Sequence, residues 1–484
     1  MRIIIRGKGF VNMSIIFFFL IIFWGLGIVY GSRIILWSAL VIVDIVIIRY
    51  CLRKLSERVG LMFFMITMFM LNIGYFFMEA FRNEGYVNNW MINFIPSWEQ
   101  EVKTSLLMLL ALIFSFFGQW TSENIISRRG LGNYDVVSGN IKTRFNAKIL
   151  SKAALIIFYI GLVCFALECM EQNAFVRKFS YNEKYIMSIR KLPLIVYRLE
   201  NLMWPGFFVF CTCMPTKKEF RVPAAFLIGV SVLSLFGGSR GGFVLNVLII
   251  MFYMTYRQQF FNQNETWMGK KHWIILIALM PIGIFILVGI QFWRTGGQMS
   301  LNILEALEIL AGNSSGLLIM DELQYHDALP KQNYIFGAVI NYIQNNIWGG
   351  LTGTRVSAGQ TQEYALYGNN FGASMTYLLA PRSYLSGGGF GTAYLAEAFH
   401  NLSYWGVIVI SYIYGMILGK STLSLRKNYG IHPFRTAFLL LMIQAVLYAP
   451  RSIAIGFVTD SILSFWNWAS FVLIFIIYSL LKRR

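Results

Sequence analysis

Arg240 is the most informative residue of the chain, because it stands in a glycine-rich turn between two apolar segments. The hexapeptide GGSRGG at 237–242 separates the apolar runs 222–236 and 243–256. A cation at or inside a membrane edge costs about 2.5–3.5 kcal/mol on insertion scales, so it needs a partner. Glycines remove side-chain bulk and let a ligand approach the backbone. We interpret the turn as an anion site, most simply for phosphate; a structural turn with a snorkelling arginine is the alternative.

Glu397 and His400 are the candidates for acid–base chemistry. They follow the glycine-rich stretch 387–391 in a segment that reads as helical, and their three-residue spacing places them on one helix face. Gly389 and Gly391 permit positive φ and close backbone approach, and a loop that enters a helix N-terminus suits anions. A carboxylate beside an imidazole can act as a general base. An interfacial ion pair is the alternative interpretation.

The elements that must position these residues are membrane helices. The chain is 57% hydrophobic and 13% charged, which excludes an ordinary soluble domain. Apolar segments long enough to span a bilayer recur along its whole length. We predict an all-α polytopic membrane protein with about 12 spans, near 13–30, 34–50, 60–78, 104–120, 151–168, 194–214, 222–236, 243–256, 273–292, 402–419, 434–449 and 464–480.

The distribution of basic residues predicts the orientation. The net charge is +19, and more than half of the 41 Lys and Arg residues fall in the seven segments that would face the cytoplasm. This bias argues against nucleic-acid binding and predicts both termini inside. Arg240, Arg294 and Arg451 then lie on the outer side, away from ATP and nucleotide sugars.

The outer side also holds one large loop, 295–401, within an otherwise single membrane domain of residues 1–484. The segments 301–310 and 315–323 read as short amphipathic helices, separated by an Asn-Ser-Ser break. A loop of this length more often has a function than serves only as a connection. Its second half is rich in Gly, Asn, Thr and aromatic residues, a composition that suits sugars; an aromatic belt at the interface is the alternative.

Three features together resemble the Wzy-type O-antigen (oligosaccharide repeat-unit) polymerases. They are Ser-Arg-Gly at 239–241, the glycine-rich approach to Ala-Glu at 396–397 with Tyr-Trp-Gly at 404–406, and Tyr-Ala-Pro-Arg at 448–451. The resemblance covers nearly the whole chain. It implies a GT-C-like glycosyltransferase of the bacterial inner membrane, with a periplasmic active site. Donor and acceptor would both be undecaprenyl-diphosphate-linked repeat units, and the growing glycan would move onto a new unit. No metal, nucleotide or other cofactor is expected, and the resemblance leaves open whether a chain-length regulator binds.

Within this chemistry the arginines suit the diphosphate leaving group, because arginine binds phosphate bidentately and keeps its charge. Five arginines on the predicted outer side are candidates: Arg240, Arg294, Arg355, Arg382 and Arg451. Arg355 and Arg382 lie in the long loop and can instead meet sugar. The supporting backbone positions are Gly238, Ser239, Gly241, Gly389 and Gly391. Glu397 is the first candidate for the base and His400 the second, with His326 beside Asp327 a weaker one.

Rival functions are separated by simple observations. An O-antigen ligase shares the outer arginines and the late loop; losing a polymerase leaves single-repeat caps, whereas losing a ligase leaves none. A lipid-linked oligosaccharide flippase would favour two similar halves, and residues 1–240 and 241–484 show no self-similarity. A membrane-bound acyltransferase would want a buried catalytic histidine, whereas His432 falls in a predicted inner loop. For a non-catalytic scaffold the arginines would be incidental.

Overall fold

Nine helical segments in the described part of the chain are long and apolar enough to cross a membrane. The computed structural model describes residues 7–82, 97–128, 145–179, 183, 190–238, 240–260, 266–295, 315–345, 359–428 and 432–483. Within these ranges all regular structure is helical and no β-strand is present. The prediction of an all-α, polytopic membrane protein is therefore confirmed.

The described helices fall into a long N-terminal series, a set of short helices and a long C-terminal series. The first series is α1 (Gly7–Val29), α2 (Arg33–Leu52), α3 (Leu55–Met68), α4 (Gly74–Arg82), α5 (Trp98–Arg128), α6 (Ala147–Lys178), α7 (Leu194–Leu199), α8 (Met203–Thr212), α9 (Lys217–Phe236), α10 (Arg240–Phe260) and α11 (Lys270–Thr295). The short helices are α12 (Ser315–Tyr325), α13 (Tyr334–Ile343), α14 (Gln362–Tyr367), α15 (Phe371–Leu379) and α16 (Pro381–Leu385). The last are α17 (Tyr394–Asn428), α18 (Pro433–Tyr448) and α19 (Phe465–Arg483).

Nine of the predicted spans coincide with the nine apolar helical segments. The predicted span 194–214 is instead divided, because a 3₁₀ turn at Glu200–Leu202 separates α7 from α8. The predicted spans 243–256 and 273–292 are helical, within α10 and α11. The total of twelve spans and the GT-C-like architecture remain predictions.

The most extensive contact between two described helices is that of α5 with α17, where glycines let the two backbones touch. A Cβ on Gly118 would lie 2.1 Å from the carbonyl oxygen of Tyr412, and one on Gly415 would lie 2.0 Å from that of Ser115. Small residues serve this purpose between membrane helices, where packing rather than water drives association. The close approach fixes the position of α17, which carries Glu397 and His400.

One end of the bundle is held by a nearly buried ion pair between Arg58 and Glu123. Arg58 Nε and Nη2 donate to the two carboxylate oxygens, each at 2.8 Å. The Arg58 guanidinium also lies 3.5 Å from the centre of the Tyr50 ring. This bidentate arrangement satisfies both charges inside the protein. We call this the ion-pair end.

The described part of the long loop packs on the bundle. The predicted helix at 315–323 is confirmed as α12, whereas the predicted helix at 301–310 lies outside the described residues. Gly316 of α12 lies against Phe76 and Met108, since an added Cβ would meet their side chains at 2.5 and 2.7 Å. Helices α12 and α13 also contact α17, which carries Glu397 and His400.

Candidate functional site

The arginine turn is a break between two helices, α9 and α10. Helix α9 ends at Phe236 and α10 begins at Arg240, which is partly exposed. Gly238 has φ +87°, in the left-handed region that glycine adopts without strain. The tight turn predicted from the sequence is confirmed. Ser239 lies outside the described residues.

The turn is in contact with the Tyr-Ala-Pro-Arg segment. A Cβ on Gly241 would lie 2.2 Å from the hydroxyl oxygen of Tyr448, the last residue of α18. Tyr448 leads directly into the 3₁₀ turn Ala449–Arg451. Two segments that are far apart in the sequence, at 237–242 and 448–451, thus bring Arg240 and Arg451 to one end of the bundle. We call this the arginine end.

Asn72 supports the Arg451 segment from a third element. It is buried in a π-helical turn, Phe69–Ile73, and its amide donates to the Pro450 carbonyl oxygen at 3.4 Å. A second π-helical turn, Val458–Ile462, follows the segment. Single π turns inside helices are frequent at functional sites. Arg58 lies near the start of the span Leu55–Phe81, and Asn72 lies about 20 Å further along it at about 1.5 Å per residue, so the ion-pair end and the arginine end are well separated along the bundle.

Glu397 holds the arginine end together. Its side chain is 1% exposed, and both carboxylate oxygens accept a hydrogen bond. The Thr392 hydroxyl donates to Oε1 at 2.6 Å, and the Ala454 N–H donates to Oε2 at 2.7 Å. Glu397 therefore ties the end of the glycine-rich loop to the backbone that follows Arg451. We call these contacts the Glu397 latch.

The glycine-rich loop has the backbone freedom that its composition predicts. Gly387 has φ +96° and Gly391 has φ +78°. Gln360 donates to the Gly388 carbonyl oxygen at 2.9 Å, and the Phe390 N–H donates to the Thr376 hydroxyl at 3.2 Å. The loop enters α17 at Tyr394, which confirms the predicted passage from loop to helix.

His400 contacts a carboxylate, but that carboxylate is Glu322 of α12. His400 Nδ1 lies 3.0 Å from Glu322 Oε1, and His326 Nδ1 lies 2.5 Å from the same oxygen. The two imidazole centroids are 4.7 Å apart. The three-residue spacing places Glu397 on the same face as His400, yet its carboxylate is engaged by the latch. Glu322 is fully buried, whereas the side chain of His326 is 46% exposed.

Two features fix the position of His400. The ring of Tyr334 packs edge-on against the imidazole at 4.8 Å between centroids. The neighbouring Asn401 accepts from the Tyr334 and Ile335 N–H groups at 2.7 and 3.0 Å. The helical run of α17 is then interrupted at Ser403, with φ +53° and ψ −147°. A non-glycine residue in such a conformation is strained and is common near functional sites.

Asp321, the acidic neighbour of Glu322 in the sequence, has a different environment. Asp321 is buried, and its Oδ2 has no hydrogen-bond partner in the described structure. Burial raises the pKa of Asp321 to about 8, because the charged carboxylate loses its water. Glu322, whose Oε1 contacts both imidazoles, is the carboxylate partner of the two histidines.

The structure gives less information about the three other predicted arginines. Arg382 is exposed in α16, and its side chain makes no hydrogen bond or ion pair with the described residues. The backbone of Arg294 lies at the end of α11, but its side chain is not among the described ones. Arg355 lies outside the described residues.

Sequence reasoning missed Glu322 and Asn72. The signal for Glu322 was present, since Glu322 and His326 are four residues apart at the end of a predicted helix. Asn72 gives no comparable signal, because it is a single amide within an apolar span.

Comparison with known proteins identifies the family of the chain. The family model of the O-antigen polysaccharide polymerase Wzy matches residues 10–484. No curated protein and no solved structure matches the chain significantly. The chain belongs to the O-antigen polysaccharide polymerase Wzy family, and so to the membrane enzymes that polymerise lipid-linked oligosaccharide repeat units. The ligase and flippase alternatives are not favoured.

Proposed function

We propose that this member of the family joins undecaprenyl-diphosphate-linked repeat units at the arginine end, on the periplasmic face of the inner membrane. The growing glycan leaves its carrier diphosphate, and a hydroxyl at the non-reducing end of a new lipid-linked unit forms the glycosidic bond. The observation that carries the proposal is the contact of Gly241 with Tyr448, which brings the segments of Arg240 and Arg451 together.

Arg240 and Arg451 bind the diphosphate in this proposal. The leaving group gains negative charge as the glycosidic bond breaks, and a guanidinium stabilises that charge with two parallel hydrogen bonds. The first turn of α10 adds the partial positive charge of a helix N-terminus. Arg294, Arg355 and Arg382 are further proposed ligands, for diphosphate or sugar.

His400 accepts the proton of the acceptor hydroxyl. Glu397 was the first candidate from the sequence, but both its oxygens are engaged in the latch and its side chain is buried. His400 uses Nδ1 on Glu322, and Nε2 has no hydrogen-bond partner among the described residues. A carboxylate that accepts from Nδ1–H leaves the lone pair on Nε2, where it can take a proton.

The arginines are tested by complementing a deletion strain and separating its surface polysaccharide by length on a gel. We expect Arg240→Ala and Arg451→Ala to lower polymerisation about 100-fold or more, with single-repeat caps remaining. The Lys variants should recover little, because an ammonium lacks the planar fork.

The matched control is Arg221→Ala, an exposed arginine near the start of α9. It should give normal long chains at equal protein level. Normal chains from both arginine-end variants would overturn the diphosphate role. Complete loss of caps in the deletion strain would instead identify a ligase.

A further inference from the structure

We infer that Glu322, His326 and His400 form a site for a divalent transition metal such as Zn²⁺, and that the metal inhibits polymerisation. One carboxylate oxygen and two imidazole nitrogens, from α12, the turn His326–Ala328 and α17, lie within 4.8 Å of one another. Two imidazoles and a carboxylate are a frequent ligand set for zinc. No metal was expected from the sequence.

The donor atoms meet at one point because two elements converge on a buried carboxylate. Glu322 Oε1 is 2.5 Å from His326 Nδ1 and 3.0 Å from His400 Nδ1. Two ligands of a tetrahedral zinc ion are roughly 3.4 Å apart, given metal–ligand bonds of about 2.1 Å. Glu322 Oε1 therefore needs to move away from each imidazole nitrogen by less than about 1 Å to admit the ion.

The surroundings allow this adjustment and leave a coordination position open. His326 is the exposed member and lies in a short 3₁₀ turn, so its ring can move outward. Glu322 Oε2 is buried and has no partner among the described residues, so the carboxylate has capacity for another bond. The Tyr334 ring packs edge-on against the His400 ring. Three protein ligands leave a fourth position for water.

Imidazole ligands select the class of metal. Two nitrogen donors with one carboxylate suit zinc and its neighbours among the divalent transition metals, whereas Mg²⁺ and Ca²⁺ prefer oxygen ligands throughout. Glu322 is the acidic ligand of the three, and one carboxylate supplies too few oxygen atoms to hold Mg²⁺ or Ca²⁺.

Metal binding would disable His400, and this step rests on the proposed function. A metal bond to Nδ1 of a neutral imidazole requires the ring proton to sit on Nε2. That nitrogen then carries the N–H and cannot accept the proton of the acceptor hydroxyl. His326 contributes to the metal site and takes no part in the proposed transfer, which makes it the selective position for a test.

The binding experiment uses the full chain, purified in detergent through a tag without histidine and stripped of metal with a chelator. We expect isothermal titration with ZnCl₂ to show one ion per chain, confirmed by mass spectrometry of bound metal. His326→Ala, His400→Ala and Glu322→Gln should each weaken binding about tenfold or more. His432→Ala, an exposed histidine before α18, is the control and should bind like the wild type.

The activity experiment follows polymerisation of lipid-linked repeat units in a zinc-buffered assay. The wild type should be inhibited as the site fills, whereas His326→Ala should resist zinc when the rate of each protein is expressed relative to its own rate without zinc. Absence of zinc binding to the wild type, or binding unchanged in all three variants, would overturn the site. If zinc binds as expected but does not slow polymerisation, the metal site is supported and the proposed inhibition is wrong. The same result would contradict the assignment of His400 as the base.

Discussion

At the scale of single residues, His400 is distinguished by the carboxylate it contacts. Glu322 is fully buried and reaches both histidines through one oxygen. Glu397, which is nearer in the sequence, contacts neither. The chemistry proposed for His400 therefore depends on a residue that comes from the long loop.

The base assignment predicts different effects for the two partners. His400→Ala should lower the rate of transfer about 100-fold or more, which is typical of a lost general base. Glu322→Gln should lower kcat less and leave KM unchanged, because the imidazole remains but its tautomer is no longer fixed. Steady-state kinetics with lipid-linked repeat units measures both, with Glu363→Gln, an exposed carboxylate in α14, as the control. An unchanged kcat in His400→Ala would contradict the assignment.

At the scale of elements, the arginine end is an assembly of helix ends and turns. The end of α9, the start of α10 and the end of α18 meet there, and the latch joins the start of α17 to the segment after Arg451. Two contacts make this assembly testable.

The latch predicts opposite results for two changes at Glu397. Glu397→Gln keeps an oxygen that accepts from the Ala454 N–H, so we expect at least half of the polymerising activity. Glu397→Ala leaves the buried N–H unpaired, at a cost of about 1–3 kcal/mol, and should shorten the polymer and lower the thermal midpoint. Gel analysis and differential scanning fluorimetry measure the two effects. Loss of activity in Glu397→Gln at wild-type stability would restore Glu397 as the base.

The contact between the turn and α18 predicts a compensating pair. In Gly241→Ala the added methyl meets the Tyr448 hydroxyl at 2.2 Å, so the tyrosine must move and polymer length should fall. Tyr448→Phe removes the closest atom, and the double variant should regain part of the lost length. Tyr448→Phe alone serves as the reference. A fully active Gly241→Ala would show that the spacing of the two segments tolerates change.

At the scale of the whole molecule, the two ends of the bundle have different tasks. The ion-pair end joins α3 and α5 through Arg58 and Glu123, far along the span from Asn72 and the arginine end. The first end stabilises the contact between two helices, whereas the second carries the groups of the proposed site.

This division predicts a stability effect without a specific effect on transfer. Arg58→Ala leaves Glu123 without its bidentate partner and should lower the free energy of unfolding by about 3 kcal/mol. Lys54→Ala breaks a more exposed pair with Glu57, at 3.5 Å, and should change it by less than about 1 kcal/mol. Thermal midpoints in detergent compare the two, and the rate per folded enzyme should match the wild type in both. A specific loss of rate in Arg58→Ala would contradict the division.

The sequence by itself determined the membrane class, the helical fold, the arginine turn and the family. Hydrophobic length decides these, since a long apolar segment can satisfy its backbone in a bilayer only as a helix. Its glycines likewise predicted the turn at Gly238. The expected role of Glu397 depended on spacing along one helix, and spacing says which face a residue shares, not which partner it meets.

Only the tertiary structure decided the partners. Tyr448 meets Gly241, Ala454 meets Glu397, and Glu322 meets His400, each across a gap in sequence that no local pattern encodes. Helix packing sets these pairs, because close contacts such as that of Gly118 with Tyr412 fix how far each helix slides and turns. The residue types of a candidate site could therefore be read from the chain, whereas its connections required the packed bundle.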